Sequence, residues 1–277
     1  MVQIVTDTSV LYTPDEAKAL GFDAIPLCVN IDEFEGRDLL IDMDDYYDRI
    51  KKGGIPRSSQ PPIGEVVDIY EKYQGDEVIN IAMADGLSGT YQSACGAKEM
   101  LEDGSKVTVI NSKTLCGPHR YIVEKAQKMK EAGHSAKEII AWVEMIREKS
   151  ESFLIPQDFD FLRRGGRLTP VAAALGSVLK LKPIMTLTED CKRLDKFAVK
   201  RTMKSAVDTV INHLKTRNLD SRHILYISHA DALEDAKKIY AQMKETFADL
   251  EVKILELSPV FVAQGGPKCV AIQYIEK

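Results

Sequence analysis

Apolar positions along the chain fall into short runs and spaced stripes, and the two kinds alternate through the first half. Val2-Gln3-Ile4-Val5-Thr6 reads as a strand. Thr13-Pro14-Asp15-Glu16 then supplies an N-cap, a proline for the first helical turn and the acid of a capping box, so a helix is predicted there. Residues 24–31 are apolar and β-branched and predict a second strand. Residues 42–52 read as a helix closed by Gly53. The stretch 53–62, GGIPRSSQPP, is a loop by composition. Helical spacing over 63–73, a strand over 77–84, a helix over 88–101 and a strand over 107–110 follow. Two helices come next, the second opened by a Ser135/Glu138 capping box. Strands and helices in alternation imply crossovers and a largely parallel sheet.

The second half has a different rhythm. A strand is predicted over 152–156 and a short helix over 158–164, followed by Gly165-Gly166. Thr169-Pro170 opens another helix. Residues 183–188 and 193–199 flank Glu189-Asp190-Cys191-Lys192 and predict a β-hairpin. A long helix over 200–217, a strand over 223–229, a helix over 231–247 and strands over 252–257 and 270–274 complete the reading. Hairpins mixed with βα units suggest an α+β lobe. The fold expected is therefore α/β and two-lobed: an N-terminal parallel-sheet, Rossmann-like lobe over 1–155 and a C-terminal α+β lobe over 156–277. The boundary is placed near residues 150–157.

The chain has 277 residues, enough for one large unit or two smaller ones. Its 44% apolar and 29% charged residues are ordinary for a globular protein. No apolar run reaches the ~18 residues of a membrane helix. The longest candidate, 168–179, is broken by Pro170 and Gly176. The N-terminus reads as a strand and not as a signal peptide. Five scattered cysteines without a CxxC pair support neither a disulfide framework nor a zinc site, so no metal is expected. A cytoplasmic location with reduced thiols is the expectation.

A net charge of −5 argues against bulk nucleic-acid binding, but the charge is uneven. Residues 1–50 carry twelve acids against three bases, whereas 163–204 carry eleven bases against three acids. A solvated surface explains such runs. A basic face for an anionic ligand or an acidic partner is the sharper reading.

In an open α/β sheet, ligands bind beyond the carboxyl ends of the strands. The residues following the predicted strands are Asp7-Thr8-Ser9, Asp85-Gly86-Leu87-Ser88-Gly89-Thr90 and Asn111-Ser112-Lys113-Thr114, and the loop before residue 63 adds Ser58-Ser59-Gln60. Hydroxyls and helix N–H groups together make a neutral site for a small anion such as a carboxylate. N-caps and turn residues are the structural alternative for each hydroxyl taken singly. A nucleophile elbow competes at Ser88, but the run is G-x-S-G-T and not G-x-S-x-G. Such an enzyme also needs a histidine, and of His119, His134, His213, His223 and His229 only His229 is predicted at a strand end. There is no GxGxxG after a strand and no GxxxxGK[ST]. Asp42-Met43-Asp44-Asp45 lacks calcium-loop spacing and reads as a helix start. The segment 170–185 is either a buried core helix, or a wall in which Ala172, Ala173, Ala174 and Gly176 leave room for a long apolar ligand.

Six stretches in order carry a resemblance: Thr6-Asp7-Thr8; Ser58-Ser59-Gln60-Pro61; Leu87-Ser88-Gly89-Thr90-Tyr91-Gln92-Ser93-Ala94; Phe161-Leu162-Arg163-Arg164-Gly165-Gly166-Arg167; Leu181-Lys182-Pro183-Ile184; and Gly266-Pro267. Together they resemble the DegV family of bacterial fatty-acid-binding proteins over nearly the whole chain. The resemblance implies two lobes with one long-chain fatty acid held between them. Its carboxylate would lie on the Ser/Thr hydroxyl loops and its tail in an apolar tunnel. It implies a non-catalytic lipid carrier without a cofactor, which presents its cargo to a separate ATP-dependent fatty acid kinase. Ser58 and Ser88 become the expected carboxylate ligands, with Ser59, Gly89 and Thr90 nearby. Arg167 matches the family's GGR arginine, and Arg201 the arginine after the hairpin. With Lys204, Arg201 is expected to form an outward partner-binding patch, one helical turn apart. One departure stands out. Many members have a histidine shortly before the late Gly-Pro, and here Gln264, followed by Gly265, takes that place; an amide donates a hydrogen bond but carries no positive charge. A Ser88-dependent α/β hydrolase-like enzyme and a phosphate- or sugar-binding module at the same loops remain the alternatives.

Overall fold

The computed structural model describes residues 1–175 and 181–277, and the chain divides into two units, Met1–Glu148 and Lys149–Lys277. In the first unit the elements run β1 (Val2–Asp7), a 3-10 turn (Thr8–Val10), α1 (Pro14–Ala19), β2 (Asp23–Ile25), β3 (Cys28–Ile31), β4 (Phe34–Arg37), α2 (Met43–Lys51), β5 (Pro56–Ser59), α3 (Ile63–Lys72), β6 (Glu77–Ala82), α4 (Thr90–Glu99), β7 (Val107–Asn111), α5 (Cys116–Glu131) and α6 (Ala136–Ile146). The sheet β2-β1-β6-β7 is parallel throughout. Its strands therefore all end at one edge, which is where βα loops gather. One face packs α3 and α4 through Val5, Val66, Tyr70, Val78, Ala94, Ala97 and Val107. Helices α5 and α6 pack on each other and against β1 and β6.

Local signals set several helix starts. Thr13 caps α1 with Glu16 completing the box, and Ser135 and Glu138 do the same for α6. Asp42 caps α2 by accepting from the Asp44 and Asp45 amides, so these acids are a helix start.

Where pairing is non-local, the sequence reading needs correction. The single strand expected over 24–31 is two strands in different sheets, broken at Pro26-Leu27, where proline lacks a ladder donor. The stretch expected as a loop over 53–62 contains β5, which pairs antiparallel with β3 and completes a separate sheet, β4-β3-β5. Composition hid it, because its strand character comes from that partner. Val29, Ile31 and Pro56 are buried on one face of this small sheet, with Ser58 among them by register; Cys28, Arg37, Arg57 and Ser59 lie on the other.

The second unit runs β8 (Ser150–Ile155), α7 (Phe159–Gly165), α8 (Pro170–Ala173), β9 (Lys182–Leu187), β10 (Leu194–Lys200), α9 (Met203–Lys215), β11 (His223–His229), α10 (Leu233–Thr246), β12 (Glu251–Glu256), α11 (Pro259–Gly265) and β13 (Val270–Glu276). Among the described residues its sheet has the order β10-β9-β8-β13-β11-β12, antiparallel except for β11 and β12. β9 and β10 form the expected hairpin, with a bulge between Lys196 and Ala198. Leu225, Ile227, Val270 and Ile272 of the sheet pack against Val207, Val210, Leu214 of α9 and Ile239, Met243 of α10. Each such side chain contributes ~1.5–3 kcal/mol by leaving water.

The fold is thus α/β with a parallel and a mixed sheet. The helix expected from residue 200 begins later, because Lys200 ends β10 and Thr202 is the N-cap. Helix α11 was not foreseen in the apolar run before Gly265. The segment 170–185 is no single core helix: α8 covers four residues, and β9 begins at Lys182. Gly176, named as a possible tail contact, lies outside the described residues. Among the described residues no helix is long and apolar enough to cross a membrane.

Candidate functional site

At the carboxyl edge of the parallel sheet, several of the hydroxyl-rich loops are scaffold. Asp7, buried at the end of β1, accepts from the Ser9 amide and from the Met83 amide, each at 2.9 Å. It thereby ties the exit of β1 to the exit of β6. Thr8 Oγ1 donates to Asp38 at 2.7 Å and accepts from the Leu27 amide at 3.2 Å. Asn111, at the end of β7, accepts from the Asp85 and Lys113 amides at 3.2 and 2.9 Å. The Thr8 and Asn111 groups are therefore engaged in holding loops together.

The Ser88-Gly89-Thr90 loop is different. Gly89 is the N-cap of α4 and makes no side-chain cap, and no acid lies in the helix's first turn. Amides at such a helix start face outward with the positive end of the helix dipole. Beside them the Ser88 and Thr90 hydroxyls share a hydrogen bond of 2.8 Å, and the Thr90 amide reaches Ser88 Oγ at 3.3 Å. The arrangement is neutral, donor-rich and suited to a carboxylate. Tyr91 follows on α4, and its phenol is pushed up first by burial and then by nearby Cys95.

The Ser58-Ser59-Gln60 segment meets this loop through Gln60. A Cβ at Gly89 would lie 3.0 Å from Gln60 Oε1. The sequence places Gln60 in a loop and carries no signal for its approach to Gly89, because β5, the strand that leads into it, is itself hidden by composition. The two serines do not act alike, because neighbouring strand residues face opposite ways. Ser58 is half-buried on the apolar face of β5 and Ser59 is exposed on the polar face.

In the second unit, α7 ends at Gly165, and Gly166 takes the left-handed conformation at φ 73° that closes the helix. The Arg167 guanidinium donates to the Gly165 carbonyl. Helix α11 packs on α7 and brings Gln264 so close that a Cβ at Gly165 would lie 2.1 Å from Gln264 Oε1. A Cβ at Gly265 would lie 2.7 Å from Cys269 Sγ. Burial pushes that thiol up to about 12, so it remains protonated packing. The structure therefore brings Gly165, Arg167, Gln264 and Gly265 together within the unit. Arg201 and Lys204 are both exposed, but they are not one helical turn apart on a helix face: Arg201 precedes the Thr202 cap, and only Lys204 is within α9. Lys204 pairs with Asp208 at 2.8 Å.

The histidines bear on the hydrolase alternative. Ser88 is bonded to Thr90, while His134, His213 and His223 pair with Glu138, Glu151 and Asp220. His229 accepts from the Ala232 amide at 3.4 Å, and burial lowers its pKa. His119, which lies three residues into α5, is buried against Ser9 and the Ile81 carbonyl. Among the described residues no group of three or more His, Cys, Asp or Glu could hold a metal ion.

Comparison with known proteins is consistent along the whole length. The profile of the DegV family, described as uncharacterised proteins, matches residues 1–277. A DegV domain-containing protein of Listeria innocua is 32% identical over 277 residues, covering 96% of this chain and 95% of its own. A DegV family protein from Thermus thermophilus, solved for its fatty acid binding, superposes with a TM-score of 0.89 at 25% identity and covers 100% of this chain and 99% of its own. DegV from Bacillus subtilis, a fatty acid binding protein, superposes at 0.85 with 28% identity, again covering 100% of this chain and 99% of its own.

Proposed function

This chain belongs to the DegV family, and from that premise we propose that it is a non-catalytic carrier of one long-chain fatty acid. The observation that carries the reading is the start of α4, where Gly89 offers no side-chain cap, with the Ser88–Thr90 hydroxyl pair beside it and no acid in its first turn. A carboxylate on that group gains charge-assisted hydrogen bonds and a favourable dipole. The solved relatives that bind fatty acids at 25% and 28% identity support the same cargo. Ser58, Gly89 and Thr90 would share the head group with Ser88, whereas Ser59 faces the opposite way from Ser58; Arg167, Gln264 and Gly265 are proposed as contacts on the family resemblance alone. Burial of a sixteen-carbon tail contributes on the order of 10 kcal/mol before the costs of association, enough for the lipid to co-purify.

The carrier would act in the cytoplasm and present its carboxylate to an ATP-dependent fatty acid kinase. That enzyme would move the γ-phosphoryl group of ATP to a carboxylate oxygen, giving acyl phosphate and ADP. The excess of bases over 163–204 supports a docking role for Arg201 and Lys204.

Denaturing mass spectrometry of an organic extract of the purified protein tests the cargo. About one long-chain fatty acid per chain is expected. An extract without stoichiometric lipid, combined with no uptake of added palmitate or oleate, would overturn the reading.

A further inference from the structure

We infer that His119 is a positioning residue for the head-group loops, acting as a neutral imidazole that latches the turn after β1 onto the end of β6. The inference rests on the fatty-acid reading for what the loops hold, but not for the latch itself. His119 is completely buried in the first turn of α5. Its Nδ1 lies 2.8 Å from Ser9 Oγ, and its Nε2 lies 3.0 Å from the Ile81 carbonyl and 3.3 Å from Thr6 Oγ1. A carbonyl only accepts, so Nε2 carries the proton and donates to Ile81. Nδ1 is then the acceptor for the Ser9 hydroxyl. One ring thereby joins four elements: α5, β1 through Thr6, the 3-10 turn after β1, and β6.

The same node reaches the candidate ligands through Asp7. The Ser9 and Met83 amides both donate to that carboxylate. Met83 begins the segment leading to Ser88, and the Asp85 amide in that segment is held by Asn111. Loosening Ser9 therefore loosens the root of the 85–90 loop without touching a ligand-facing side chain.

Protonation would turn Nδ1 into a donor and remove the acceptor that Ser9 uses. The charged group facing the ring is Asp7 at the end of β1. The turn contributes the Ser9 hydroxyl and β6 the Ile81 carbonyl, while Arg120, next on α5, is directed at the Leu11 carbonyl. Burial lowers the His119 pKa and outweighs the opposing pull of Asp7 and of the Ile81 hydrogen bond. The unfolded value is about 6.5. The latch thus contributes its full stability above about pH 6.5 and loses it as the pH falls from there through the lowered folded value.

Glutamine can reproduce one donor and one acceptor but does not titrate. The experiment compares wild type, His119→Gln, His119→Ala and Ser9→Ala. It measures oleate affinity and thermal stability at pH 7.5 and 5, hydrogen exchange of the Met83–Ser88 amides, and the imidazole tautomer by nitrogen NMR. At pH 7.5 His119→Ala and Ser9→Ala are expected to bind about tenfold more weakly and to exchange faster over Met83–Ser88, while His119→Gln stays near wild type. Between pH 7.5 and 5 the wild type should lose more thermal stability than His119→Gln, because the unfolded imidazole takes up a proton that the buried one resists. A proton on Nδ1, equal pH dependence of the wild-type and His119→Gln melting temperatures, or unchanged exchange in His119→Ala would overturn the latch. If wild type binds no oleate at either pH, the carrier reading fails, and the tautomer and exchange still decide the latch.

Discussion

In each unit a glutamine amide lies over a glycine, and the two contacts are not equally tight. At Gly89, the start of α4, an added Cβ would stand 3.0 Å from Gln60 Oε1; at Gly165, the end of α7, it would stand 2.1 Å from Gln264 Oε1. Gln60 is an exposed side chain just past β5, with room to retreat. Gln264 is carried by α11, where Val262, Ala263 and Gly265 on either side are buried. The first glycine permits an approach, whereas the second is a condition of it. The first unit places its polar groups with hydrogen-bonded loops at strand ends. The second places them by the close passage of two helices.

The largest expected effect breaks the comparison on the first unit's side. Ser88→Ala should weaken oleate binding ten- to hundredfold, since a hydrogen bond to a charged group contributes ~1.5–3 kcal/mol. If affinity holds and only the melting temperature falls, Ser88 is a turn residue and the first cluster is not the head-group site. The glycines give the next effect and sharpen the contrast. Gly165→Ala should cost about tenfold in oleate affinity, and little beyond Gln264→Ala alone when the two are combined, as expected for residues sharing one contact. Gly89→Ala should cost about threefold or less, because a few tenths of an ångström suffice for Gln60 to yield. Equal losses at the two glycines would mean that the distances do not govern binding.

The smallest effect on cargo is expected from the exposed cations. Arg201→Glu with Lys204→Glu should leave oleate affinity unchanged while slowing acyl-phosphate formation by a cognate kinase, more so at low salt. Kinase turnover measured at two ionic strengths checks this, and turnover equal to wild type at both would remove the docking role.

What could be read from sequence follows from how local each interaction is. Both capping boxes, Thr13 with Glu16 and Ser135 with Glu138, lie within one helical turn and were legible. So was the β9–β10 hairpin, whose turn is contiguous with both strands. Strand β5 was not, since Pro56–Ser59 owes its conformation to pairing with Cys28–Ile31 across α2. The site shows the same division. Ser88, Gly89 and Thr90 lie at a helix start that the sequence foretold within two residues. The approach of Gln264 to Gly165 depends on the packing of α11 on α7, and α11 itself was unforeseen. His229 drew attention among the histidines for its strand-end position, whereas His119, early in a helix, forms the buried network.

The alternation along β5 makes this short segment a matter of parity. Pro56 and Ser58 belong to the face that includes buried Val29 and Ile31, and Arg57 and Ser59 to the face that meets water. Exchanging the two neighbours Arg57 and Ser58 would leave composition, length and net charge untouched. It would nonetheless carry a guanidinium into the apolar side and a hydroxyl out of it. Randomising the odd positions alone would instead vary what the surroundings encounter while the even positions keep the layer beneath intact. For anyone reshaping this protein, the unit of change in Pro56–Ser59 is the alternate residue.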